Sequence, residues 1–251
     1  MFNLLNTARC YSVKKTCRVS KIIMDLPQMR SSYNNPSVPI LDDALPSTNP
    51  FEWFKLWYTE ASDHPGIGHP GAMTLATCSP SGIPSCRMMI LRYFDNNGFV
   101  FYTGTESQKG KVIDANPLAA MLFFWPIFHR QVRIEGSVER ISREETACAF
   151  SKCPRDMQIA IAAVPQSQIL TKAEIKLKHQ ETLDKFSNGE AVSLPEHWSG
   201  YRLVPQTFEF WVGSKYRLHD RIKFSKKVPD DVDKNLVHLG NHEWQYFRLA
   251  P

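Results

Sequence analysis

The sequence has no apolar run close to the roughly 18 residues that a membrane-spanning helix needs. Its longest, Leu118 to Trp125, stops at Pro126, so no helical membrane span is expected. It also has no glycine-rich phosphate loop and no internal repeat, and Gly98 and Gly104 read as turn residues. Cysteine is sparse and unpatterned. Of six, Cys10 and Cys17 fall near the N-terminus, while Cys78, Cys86, Cys148 and Cys153 form no C-x-x-C pair and no zinc spacing. They read as reduced thiols of an intracellular protein. His242-Glu243-Trp244-Gln245-Tyr246 opens like a metalloprotease helix but lacks the second His, so no metal site is expected.

An excess of positive charge is missing too, once it is located. The formal +5 comes from residues 1 to 24, where Arg9, Lys14, Lys15, Arg18 and Lys21 stand with no acid; the other 25 bases face 25 acids. A charge-balanced body removes the case for a nucleic-acid partner. The basic, hydroxyl-rich segment 1–24 has the profile of a mitochondrial transit peptide; the alternatives are a disordered tail or a start at Met24, with a cytosolic protein.

What is present is a β-rich pattern. Residues 25–49 contain Pro, Ser and Asn without period and read as a flexible arm, followed by a single domain over 50–251. Phe51, Phe54, Trp57 and Tyr58 recur at helical spacing, closed by Pro65-Gly66. Strands are expected at 72–78, 85–94 and 99–103, joined as successive hairpins in a meander by Ser79-Pro80-Ser81-Gly82 and Asp95-Asn96-Asn97-Gly98. A short helix at about 108–115 leads to strands 118–125 and 130–141. Ser142-x-x-Glu145 and Thr171-x-x-Glu174 read as capping boxes opening helices at about 143–152 and 172–187. Strands return at 201–204, 207–212, 218–224 and 244–249. The fold class is mainly β with α: an antiparallel barrel with helices packed outside.

Two groups of residues carry possible chemistry. Arg217, His219 and Arg221 alternate, and would share one face of a strand, suited either to an electron-rich ligand or to a solvated sheet edge. Arg87 and Arg92 stand at the ends of an apolar strand, close to a core where each needs an anion or a hydrogen-bond partner, and Thr103, Ser107 and Lys109 cluster at a helix start, where free N–H groups favour a phosphate; surface cations near a turn are the alternative.

Six runs in order, Arg87-Met88-Met89-Ile90-Leu91, Phe101-Tyr102-Thr103 with Ser107 and Lys109, Arg130 to Gly136, Phe208-Glu209-Phe210-Trp211, Arg217-Leu218-His219-Asp220-Arg221 and Arg248-Leu249-Ala250-Pro251, resemble the pyridoxamine 5'-phosphate oxidase family from about Met29 to the last residue. The resemblance implies a split β-barrel homodimer with flavin mononucleotide (FMN) at the interface. It implies oxidation of the 4' alcohol or amine of pyridoxine or pyridoxamine 5'-phosphate to the aldehyde, with dioxygen reduced to hydrogen peroxide. By matched position, Arg87 and Lys109 hold the FMN phosphate and Met88, Met89 and Ile90 run along the cofactor. Tyr102, Thr103, Gln131, Gln166, Ser167, Trp211 and Arg221 complete its site, some from the partner chain. Arg217 and His219 face the substrate ring, and Arg30 and Tyr33 belong to an arm that closes over it.

The departures from the family pattern bear on the substrate phosphate. Where the family carries Lys, Tyr, Arg and Ser, this chain has Arg92, Ala149, Cys153 and Met157, and Gln108 replaces an Arg on the FMN side. Hydrogen bonds to charged groups contribute about 1.5 to 3 kcal/mol each, so losing three implies weakened phosphate binding. Lys152 and Arg155 flank Cys153 as possible replacements. A flavin- or pyridoxal phosphate-binding protein without activity, and an FMN oxidoreductase for an unphosphorylated substrate, are the alternative functions.

Overall fold

The computed structural model describes Ile40, residues 44–214 and residues 218–251. The basic segment 1–24, Arg30, Tyr33 and Arg217 lie outside the described residues.

Helix α1 (Pro50–Asp63) begins where Asn49 accepts the Phe51 N–H through its side chain and Pro50 occupies the first turn. Its apolar stripe is aromatic: Trp53 stacks on Phe210 at 4.3 Å between ring centres, and Phe54 meets Phe94, Phe99 and Phe123 edge-on. These rings form the main core with the inner faces of the strands.

The strands are β1 (Ala72–Cys78), β2 (Pro84–Ile90), β3 (Tyr93–Asp95), β4 (Gly98–Gly104), β5 (Leu118–Trp125), β6 (Arg130–Arg140), β7 (Trp198–Val212), β8 (Asp220–Ser225), β9 (His238–Leu239) and β10 (Gln245–Arg248). All pairings are antiparallel, in the order β2-β1-β5-β6-β7-β8-β10-β9. The sheet forks at β7, whose first half pairs with β4 and whose second half pairs with β8, while β6 runs along its other edge. Pro205 sits at the fork, beyond the last β4 pair and before the first β8 pair, so its missing N–H costs no ladder bond.

The expected meander is therefore corrected. Strand 85–94 breaks at Leu91-Arg92, whose N–H groups bond to Gly71 O and Val100 O, and β4 leaves β2 to pair with β7. The separate strands 201–204 and 207–212 are one strand with a bulge opposite Glu135/Gly136. The strand expected from 218 starts at Asp220.

Helix α2 (Gln108–Ala115) is capped by Ser107, and α3 (Arg143–Ser151), α4 (Arg155–Ala163) and α5 (Lys172–Lys185) follow β6. Thr171 and Glu174 complete a reciprocal capping box. Ser142 makes only its half, because the Glu145 carboxylate turns to Tyr93 and Arg202 instead. Phe150, Ile159, Phe186, Val192 and Trp198 make a second, smaller core among these helices and the start of β7.

At the β3–β4 turn, Asp95 Oδ1 accepts from the N–H groups of Asn97 and Gly98. Gly98 has φ 146°, and a Cβ there would lie 2.2 Å from Leu203 O. Gly98→Ala is expected to destabilise the protein by more than about 2 kcal/mol, read from its urea unfolding midpoint.

Candidate functional site

The first component is a cationic corner. Arg87, on the half-buried face of β2, donates through Nη1 to Leu75 O (3.0 Å) and Thr77 Oγ1 (2.9 Å), and through Nη2 to Ser85 Oγ (2.8 Å). Lys109, in the first turn of α2, reaches Thr103 Oγ1 (3.1 Å) and Gln166 Oε1 (3.3 Å) with its ammonium. Gln166 is itself fixed by donors from Thr103 Oγ1 (2.9 Å) and Gly104 N (3.2 Å). Burial holds the Lys109 pKa below the usual lysine range, with the Arg87 charge adding to the effect, and burial also lowers that of Arg87. Among the described residues neither cation has a carboxylate within ion-pair reach. Two cations brought together without a counter-ion favour an anion from solution. Ser167, beside Gln166, holds φ 68°, an uncommon conformation for a non-glycine residue.

The second component follows from strand register. Phe124, Gln131, Trp211 and Arg221 are successive cross-strand partners on β5, β6, β7 and β8, so they form one row on one face. Met88, Thr74 and Leu122 form a row across β2, β1 and β5 on that face, two residues along from Phe124. Met88, Gln131 and Trp211 line a cavity of about 750 Å³ with His69, Phe124 and Trp125. Met88 and Ile90 project outward, 65% and 46% exposed, while Met89 packs against the core. Alternation along β2 thus divides the expected cofactor strand between two faces.

His219 stands against Trp211, with ring centres 4.9 Å apart, and its Nδ1 accepts the Ser214 N–H at 3.0 Å. That bond places the proton of the neutral ring on Nε2. Arg221 donates from Nε to Glu209 Oε1 at 2.9 Å and from Nη1 to Ala250 O at 2.9 Å. Glu209 is a residue that sequence reasoning missed. It is 4% exposed and also receives Arg133 Nη2 at 2.6 Å, so one buried carboxylate positions two guanidinium groups. Its signal was available: a lone acid between the buried aromatics Phe208 and Phe210.

The third component is a cavity of about 540 Å³ where Arg92, Ala149, Cys153 and Met157 come together, with Tyr102 and Lys152. Arg92 Nη2 lies 4.0 Å from Met157 Sδ. Tyr102 stacks on Trp198 at 4.8 Å and points away from its neighbour Thr103, which belongs to the cationic corner. Arg155 is not available to this cavity as a replacement, because its guanidinium donates to Phe186 O (2.7 Å) and Glu190 O (2.9 Å). Tyr93 and Arg202, which sequence reasoning did not single out, also line it, as does Glu145, read from the sequence only as a capping-box acid.

The structure therefore joins Arg87, Thr103, Lys109 and Gln166 in one corner, and Met88, Gln131, Trp211, His219 and Arg221 along one sheet face. Arg92 and Tyr102 sit in a separate cavity. Among the described residues no cluster of His, Cys, Asp or Glu could hold a metal ion, and no helix is long and apolar enough to cross a membrane.

Residues 64–184 match the family model described as pyridoxamine 5'-phosphate oxidase, and residues 198–251 match the pyridoxine 5'-phosphate oxidase C-terminal dimerisation region. Pyridoxine-5'-phosphate oxidase of Bos taurus is 40% identical over 91% of this chain and 88% of its own length. The chain belongs to the pyridoxamine 5'-phosphate oxidase family. The pyridoxine/pyridoxamine 5'-phosphate oxidase of Bordetella petrii is also 40% identical, over 91% of this chain and its own full length (100%). Among solved structures, PhzG from Burkholderia lata, in complex with tetrahydrophenazine-1-carboxylic acid, superposes with TM-score 0.70 at 25% identity, covering 82% of this chain and 94% of that one. A pyridoxamine 5'-phosphate oxidase-related, FMN-binding protein from Nostoc punctiforme shares the fold, with TM-score 0.60 at 15% identity over 81% of this chain and 98% of its own. The expected split-barrel class, mainly β with helices, is thus the fold of the family.

Proposed function

We propose that this protein is an FMN-dependent oxidase acting on pyridoxine or pyridoxamine 5'-phosphate, forming the 4' aldehyde and hydrogen peroxide. The observation that carries the reading is the pair Arg87 and Lys109, two half-buried cations without a carboxylate partner among the described residues, on a sheet whose strand β2 turns the exposed Met88 and Ile90 to its other face. A phosphate tail and a flat aromatic ring fit such an arrangement. Bound FMN supplies the acceptor for the hydride, and dioxygen then takes the electrons.

The chain's own groups bind and orient. Arg87, Lys109, Thr103, Gln166 and Ser167 hold the cofactor's phosphate end; Met88, Ile90, Gln131, Trp211 and Arg221 hold the rest, while Met89 packs in the core behind them and Tyr102 lines the separate cavity of Arg92. His219 offers its Nε2–H to the 3'-oxygen of the vitamer, Arg217 faces the ring, and Arg92 meets the far end. Arg30 and Tyr33 lie outside the described residues, and their part in closing over the substrate rests on the family resemblance alone. A homodimer fits the match of residues 198–251 to a dimerisation region, and the exposed Met88, Ile90, Leu118 and Phe124 supply an apolar face for the second chain. Residues 1–24 act as a mitochondrial import segment, tested by fusing them to a fluorescent protein and locating it in cells.

Purified protein is expected to be yellow, or to turn yellow with added FMN, and to release peroxide with pyridoxine 5'-phosphate. Protein that stays colourless and takes up no FMN contradicts the reading. A pH dependence follows from Lys109, whose lowered pKa means that it loses its proton earlier than a free lysine as pH rises. FMN affinity is expected to fall as pH rises through a Lys109 pKa that lies below the usual lysine range, through loss of that cation, while Arg87 stays charged. Lys109→Arg should abolish the alkaline fall in a fluorescence titration of FMN.

A further inference from the structure

The cavity around Arg92 has a charge balance of its own. Arg202 enters it nearly buried, its side chain 12% exposed, with Asp95 Oδ1 at 2.6 Å from Nη1 and Glu145 Oε1 at 3.7 Å from Nη2. The Tyr93 hydroxyl donates to the same Glu145; burial first, and then that bond, push its pKa up, so the phenol stays neutral. A guanidinium held between two carboxylates has no positive charge to spare. That leaves Arg92 and Lys152, neither with a carboxylate partner among the described residues. The remaining wall offers few side-chain donors: Ala149, Pro154 and Met157 have none, the Cys153 thiol is turned onto Ala149 O at 3.5 Å, and Tyr102 adds a neutral hydroxyl.

Three cations against two carboxylates leave a single net positive charge. A phosphate dianion would overshoot that balance, face Asp95 and Glu145, and bring three oxygens to a wall whose spare cationic donors are Arg92 and Lys152. An uncharged or singly charged end meets neither penalty. We propose that this cavity selects a substrate end with at most one negative charge, Arg92 being the specificity-determining residue, so that unphosphorylated pyridine alcohols and amines are substrates comparable to their 5'-phosphates. This rests on the oxidase reading above and widens its substrate class.

The test uses FMN-loaded protein with pyridoxine and pyridoxine 5'-phosphate, measuring Kd by calorimetry and kcat/KM from peroxide release. A phosphate advantage below about thirty-fold in both quantities is expected, and a larger one overturns the proposal. Cys153→Arg combined with Met157→Ser adds a cation and a hydroxyl; it is expected to raise the phosphate advantage at least about ten-fold, and no rise in protein that retains FMN overturns the assignment. Met157→Ser alone serves if the double variant does not fold, with a rise expected in the same direction. Arg92→Gln should erase what phosphate preference exists. If neither compound yields peroxide the oxidase reading fails, while the calorimetric comparison still decides what the cavity prefers.

Discussion

Replacing Arg87 and Lys109 together by alanine is expected to give a folded, colourless protein that binds FMN at least about a hundred-fold more weakly than the parent. Hydrogen bonds to a charged group contribute about 1.5 to 3 kcal/mol each, and a hundred-fold change corresponds to about 2.8 kcal/mol, so two such donors suffice. Without cofactor the two cations gain nothing from each other: burial and mutual repulsion both lower the Lys109 pKa. The variant's apo form should therefore unfold within a few degrees of the parent's apo form, which separates lost affinity from lost fold. Fluorescence titration of FMN gives the first quantity and thermal unfolding the second. Undiminished affinity in the double variant would show that the cofactor's phosphate lies elsewhere.

The second large effect is expected at Glu209. This carboxylate is nearly buried and receives both Arg133 (2.6 Å) and Arg221 (2.9 Å). Removing one partner of a buried ion pair typically costs about 3 to 5 kcal/mol, because the charges left behind are unmatched; here the two arginines keep some solvent access. Glu209→Ala is accordingly expected to destabilise the protein by about 3 kcal/mol in denaturant unfolding, and to weaken FMN binding because Arg221 loses its anchor. The double replacement of Glu209 and Arg133 by alanine should cost less than the sum of the two single changes, the sign of direct coupling. A loss below about 1 kcal/mol for Glu209→Ala would show that water already screens the triad.

Much of this was legible in the sequence, where local chemistry decides structure. Helix α2 lies between a capping Ser107 and Asn116-Pro117, and β5 ends at Pro126, so their bounds could be read directly. The box at Thr171 and Glu174 formed in full. Helix α4 went unread because its N-cap, Pro154, makes no side-chain capping bond and gives none of the usual start signals. Strands are expected at 201–204 and 207–212, on either side of Pro205, but the proline occupies the one stretch of β7 where no partner on that edge needs its N–H.

The site was legible by residue and not by arrangement. Alternation in Arg217-Leu218-His219-Asp220-Arg221 suggested one strand face, whereas β8 begins only at Asp220, and Arg221 shares its row with Trp211, Gln131 and Phe124 through pairings far apart in sequence. His219 joins that neighbourhood from outside the strand, by packing on Trp211. Likewise the sequence named Arg92, Ala149, Cys153 and Met157, but the long-range pair that neutralises Arg202 beside them, Asp95 and Glu145, appears only once β3, α3 and β7 meet.

The central claim, that the chain binds FMN and passes it electrons from a B6 alcohol, is tested most directly by mixing FMN-loaded protein with pyridoxine or pyridoxine 5'-phosphate without oxygen. The account predicts that the yellow flavin absorbance bleaches, and that admitting air restores it with about one hydrogen peroxide per flavin. Flavin that stays bound and oxidised with both compounds would contradict it.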